Sequence, residues 1–132
     1  MKKILHLSDE WIKELNNVAQ SHKGLEKATT EVELVVEYRV MEKESITWQI
    51  LINKGEIEIS AGCAHEPDVW FETDRSTAIS LFEGMINPLN AVIEGKMEIG
   101  GDPRKLIEAS EMFEQLGDVF ETIRDSTVTN AQ

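Results

Sequence analysis

The sequence predicts an α+β fold, one mainly antiparallel sheet with helices gathered against a face. Two observations carry that prediction. Apolar residues fall at every second position through the middle of the chain and at every third or fourth position on either side of it, and Gly, Asn and Pro punctuate the changes of period. At 132 residues, 41% of them hydrophobic, the chain has material for one core rather than two.

Ser8 is placed to cap a first helix. Leu7 can staple against Ile12, Asp9 and Glu10 suit the positive first turn, and Trp11, Ile12, Leu15, Val18 and Ala19 form one stripe that stops before Gly24. From Glu31 the period becomes two: Val32, Leu34, Val36, Tyr38 and Val40 form a strand, and Ile46, Trp48, Ile50 and Ile52 a second. Asn53-Lys54-Gly55 reads as a compact turn into a third strand, with Ile57 and Ile59 alternating with Glu56, Glu58 and Ser60. After a loop over 62–67, Val69–Thr73 reads as a fourth strand with bulky groups on both sides, and a four-stranded meander is the economical arrangement. Asp74 then caps a helix carrying Ala78, Leu81, Phe82 and Met85 that ends near Gly84, and Asn87-Pro88 starts another with Leu89, Val92 and Ile93. Met97 and Ile99 mark a last strand before Gly100-Gly101. Asp102-Pro103 opens the longest stripe, Leu106, Ala109, Phe113, Leu116 and Phe120, which Gly117 is expected to bend. From about residue 124 periodicity fades, and a disordered tail is expected on a single domain spanning residues 1–132.

The balance of 25 acidic and 13 basic side chains gives a formal charge of -12, a sign that repels phosphate backbones and anionic headgroups and so excludes non-specific nucleic-acid binding. Cys63, the single cysteine, cannot form an internal disulfide, which fits a reducing compartment. The sequence holds no export-type stretch and no run of about 18 apolar residues, so the expected location is cytoplasmic, without stable membrane insertion.

Catalytic patterns are weak. His6, His22 and His65 share no spacing, and the run Cys63-Ala64-His65-Glu66-Pro67-Asp68 reads as a polar loop rather than a metal site. Glu56 and Glu58 are explained by a solvated strand face, and Lys96 follows Gly95 at the start of a strand, not of the helix a phosphate loop requires. No enzyme activity, metal or cofactor is expected. What stands out is adaptable apolar bulk where the sheet must be closed, which either fills a core or lines a cavity.

Three segments in order, Trp48–Gly55, Asp68–Phe71 and Gly84–Asp102, resemble the sterol carrier protein 2 domain family, with Gly55, Asp68, Gly84, Pro88, Ala91, Gly95, Lys96 and Gly100 at the family's turn, strand-opening and bracketing positions. The resemblance spans about Glu31 to Phe120, with Trp11–Ala19 where the family has its first helix. It implies a five-stranded, mainly antiparallel sheet covered by helices enclosing an apolar cavity. The implied function is non-enzymatic binding and transfer of a lipid or other hydrophobic small molecule: a fatty acid, an acyl-CoA or a sterol-like ligand. Some relatives are accessory modules, so a protein-interaction or oligomerisation role, with a second copy or another protein as partner, is the alternative. The residues expected to line the cavity are Trp70, Phe71, Phe82, Met85, Val92, Phe113 and Phe120, with opening about Gly117. Two features depart from the family's familiar carriers: the strong acidity, and an Asn130-Ala131-Gln132 ending in place of a peroxisomal tripeptide.

Overall fold

The computed structural model describes residues 4–42 and 45–128; Lys43 and Glu44 of the expected strand link, the side chains of Leu89 and Leu106, and the last four residues of the expected tail lie outside the described ones. The chain opens with strand β1 (Ile4–Leu5) and a tight turn in which Leu7 takes a left-handed φ of 69°. Ser8 Oγ accepts from Trp11 N at 3.1 Å and starts helix α1 (Asp9–Ser21), as the capping pattern predicts. His22 both ends α1 and starts α2 (Lys23–Ala28), a helix that the apolar spacing does not predict. Its Nδ1 accepts from Leu25 N at 3.0 Å, which leaves the proton on Nε2 to donate to Asp118 at 2.6 Å.

Strands β2 (Glu33–Met41), β3 (Ile46–Asn53) and β4 (Glu56–Ala61) are antiparallel neighbours. Lys54 (φ 47°) and Gly55 (φ 90°) make a two-residue hairpin turn whose positive φ values match the twist of the strands. Strand β5 (Val69–Asp74) then departs from the expected meander. Rather than pairing with β4, it crosses β3 and β2 and pairs in parallel with β2, so the order is β4-β3-β2-β5-β6, with β6 (Met97–Gly101) antiparallel at the edge. The crossover 62–68 is too long for a hairpin turn and is pinned at its end. Asp68 N donates to Val35 O, its carboxylate accepts from Val35 N (2.8 Å) and Lys105 Nζ (2.9 Å), and its carbonyl accepts from Asp102 N.

Between β5 and β6 lie α3 (Arg75–Phe82), capped by Asp74 as predicted, and α4 (Pro88–Ile93), capped by Asn87. After β6 come α5 (Pro103–Glu108) and α6 (Ser110–Arg124). The break in the long stripe therefore falls at Ala109 and not at Gly117, which sits mid-helix with open space where a Cβ would be. Buried along α6 are Met112, Leu116, Val119 and Ile123, with Phe113 and Phe120 on the flank. The region expected to fray past about residue 124 includes β7 (Thr127–Val128), which pairs in parallel with β1. One apolar cluster joins the inward face of the sheet to α1, α3 and α6. No helix among the described residues is long and apolar enough to cross a membrane.

Candidate functional site

Register assembles an aromatic floor. Tyr38 pairs with Trp48 on one side and Phe71 on the other, which puts three rings in a row on the helix-facing side of the sheet. Tyr38 stacks on Trp48 at 4.4 Å between centroids and on Phe71 at 5.3 Å. Above them Trp11 of α1 meets Trp48 edge-on at 5.7 Å and Phe82 of α3 at 5.6 Å, while Phe82 meets Phe120 of α6 at 5.5 Å. Arg124 near the end of α6 donates to the Phe82 carbonyl at 2.9 and 3.2 Å and ties the two roof helices together.

Floor and roof enclose an apolar cavity of about 40 Å³, whose walls include Tyr38, Trp48, Phe71, Phe82 and Phe120. That is room for very few waters, against about 300–1,000 Å³ for a typical ligand pocket. The titratable rings on the wall are neutral in the physiological range: burial pushes the Tyr38 phenol up, and burial together with the Arg75 charge pushes His6 down to about 4, while Arg39, which also borders the cavity, has its guanidinium over Trp70 and bonded to Glu37. Larger concavities, about 630 Å³ beside α1 and β4 and about 570 Å³ beside α3 and α4, are more open grooves, the first bordered by Glu26, Glu56 and Glu58 and the second by Asp74, Glu94 and Lys96. The aromatic layer is thus the smallest of the three, and the one walled mostly by apolar side chains.

The sequence-predicted lining residues divide. Phe71, Phe82 and Phe120 meet at this cavity, and Phe113 supports it, edge-on to Phe71 at 5.8 Å. Val92 is half-buried in α4 against the core. Met85 is 76% exposed and borders the α3–α4 groove. Trp70 lies on the other side of the sheet, because neighbours along a strand face opposite ways. There Arg39 sits 4.5 Å over its ring, and Arg39 and Gln49 both donate to the buried Glu37. Gln49 also exchanges two hydrogen bonds with the backbone of His65, so this polar set holds the crossover down. Four ring-bearing wall residues, His6, Trp11, Tyr38 and Trp48, are not among the predicted set. Tyr38 and Trp48 are legible, being in phase with the buried strand positions, whereas His6 carries no signal.

A five-stranded mixed sheet with one helix-covered apolar face defines an α+β fold. The sequence pattern of the SCP-2 sterol transfer family matches residues 12–114, most of the chain, and the chain belongs to that family. Among solved structures, sterol carrier protein 2 superposes with a TM-score of 0.74 at 18% identity, covering 87% of this chain and 96% of that one. A conserved hypothetical protein of Thermus thermophilus, described as a candidate sterol carrier protein, gives 0.77 at 16% identity over 100% and 97%. The sec-alkylsulfatase Pisa1 of Pseudomonas sp. gives 0.54 at 16% identity, over 68% of this chain and 14% of that enzyme. A comparison with curated protein sequences gives no match.

Proposed function

We propose that this chain is a non-enzymatic carrier that binds a lipid or similar apolar molecule reversibly between sheet and helices. The observation that carries the reading is the aromatic cavity closed by Trp11, Phe82 and Phe120 from three different helices. At about 40 Å³ it is the closed state of such a site, so a ligand enters by parting α3 and α6 from the sheet. Each methylene then removed from water gains about 0.8 kcal/mol before ordering costs are subtracted. Phe71, Phe82, Phe113 and Phe120 are the apolar contacts of this reading, with Val92 beside them; Trp70 and Met85 are not among them.

Native mass spectrometry of delipidated protein offered fatty acids, acyl thioesters and long-chain alcohols is the test. One-to-one complexes support the carrier, and their absence across the panel overturns it. A second reading, an interaction or oligomerisation module, is favoured by the exposed side chains of Met85, Ile93 and Ile107. Light scattering after size-exclusion chromatography decides that one: a strict monomer that captures no partner removes it.

A further inference from the structure

Two nitrogens on the cavity wall have no partner. His6 is 2% exposed with an unbonded Nδ1, and Trp11 is 1% exposed with an unbonded Nε1–H, a group that can only donate. Leaving such a group unsatisfied costs about 1–3 kcal/mol. Both rings line the same cavity and touch edge-to-face, with centroids 4.8 Å apart. The backbone holds His6 there by uncommon means: Leu7 beside it is left-handed at φ 69°, Ser8 bonds back to Leu5 O through both N and Oγ, and His6 N donates to Val128 O at 2.9 Å.

Resting on the carrier reading, we propose that His6 and Trp11 form the polar end of the site and select an apolar ligand with one uncharged oxygen, a hydroxyl or a carbonyl. The oxygen accepts from Trp11 Nε1–H, and the His6 imidazole meets it as donor or, for a hydroxyl, as acceptor. A carboxylate is disfavoured because it would be a buried charge opposite a neutral ring. Two cations lie near, and both are engaged: Arg39, which borders the cavity, donates to Glu37 and covers Trp70 on the other side of the sheet, and Arg75, with one unbonded buried nitrogen, Nη1, holds Glu42 through Nε (2.5 Å) and Nη2 (2.8 Å).

Delipidated full-length protein titrated with dodecan-1-ol, dodecane and dodecanoate tests this, with the Trp11 indole N–H followed by ¹⁵N NMR and assigned through Trp11→Phe. The alcohol is expected to shift that resonance and to bind about fivefold more tightly than the alkane and more tightly than the acid. In His6→Phe and Trp11→Phe the advantage over the alkane falls to within about twofold. Equal affinities, an unshifted indole on binding, or preference for the acid overturn the polar end while the carrier stands. Failure of all three probes to bind the folded protein overturns the polar end, and the carrier falls with it when the acyl thioesters of the wider panel fail as well. Should His6→Phe fail to fold, the resonance in the unaltered protein still decides; should Trp11→Phe fail, Trp48→Phe and Trp70→Phe assign it by elimination among the three tryptophans.

Discussion

His6 makes mild acid a specific stress. Its folded pKa of about 4 lies below the ordinary value of 6.5, so as pH falls the unfolded chain takes up this proton first. The stability contributed by the neutral ring is complete above 6.5 and is lost down to about 4, a total of about 3 kcal/mol. Urea denaturation across that window is expected to show a falling midpoint in the parent and a much flatter one in His6→Leu. Asp68 acts lower. Burial pushes its carboxyl up, but hydrogen bonds from Lys105 and Val35 N, with the Lys105 charge, more than offset that and hold it below the ordinary carboxylate value. Its contribution is present above that ordinary value and lost as pH falls through the depressed folded one, so the two losses separate. Gly100 is fixed by packing, since a Cβ there would overlap the Trp70 ring that Arg39 covers. Gly100→Ala is expected to cost about 1–3 kcal/mol, read from thermal denaturation.

At the scale of elements, β4 is an edge strand that α1 closes. Asn16 Oδ1 accepts from Ile59 N at 2.7 Å and Gln20 Nε2 donates to Ile57 O at 3.0 Å, an i, i+4 pair of amides standing in for a missing strand. Replacing both with Ala is expected to cost about 1–3 kcal/mol and to raise aggregation, visible by light scattering on incubation. The strands are legible in the sequence because one face of the sheet is buried, and a burial period of two writes itself into Leu34–Val40 and Ile46–Ile52. Pairing is not, because nothing in the apolar pattern of β5 says which strand lies beside it. Gln49 and Glu37 read as solvated by alternation, yet the crossover buries them. The helix break misleads for a related reason: Gly117 lowers propensity but faces open space, whereas Ala109 sits where α5 turns into α6. In the site, stripes pick out Phe82 and Phe120, while Val69–Phe71, bulky at every position, leaves the side of Trp70 open.

For the molecule as a whole, the formal charge is -12, and among the described residues most glutamates and aspartates are exposed or half-buried, while the floor rings Tyr38, Trp48 and Phe71 carry no charge. Self-repulsion is therefore strongest at low ionic strength, and the melting temperature is expected to rise as salt shortens the screening length. Ligand delivery to zwitterionic vesicles should outpace delivery to anionic ones, with the gap narrowing as salt rises, which a fluorescence transfer assay would show. The pairing of β1 with β7 bears on folding order. Ile4 and Leu5 meet Thr127 and Val128 from nearly the opposite end of the chain, so the contact carries a long loop-closure cost for two residues of ladder. It closes late and opens early. The amide protons that Ile4 and His6 give to Ser126 and Val128 should exchange with water sooner than those of β2 and β3, and the His6 wall is completed only after the sheet has formed.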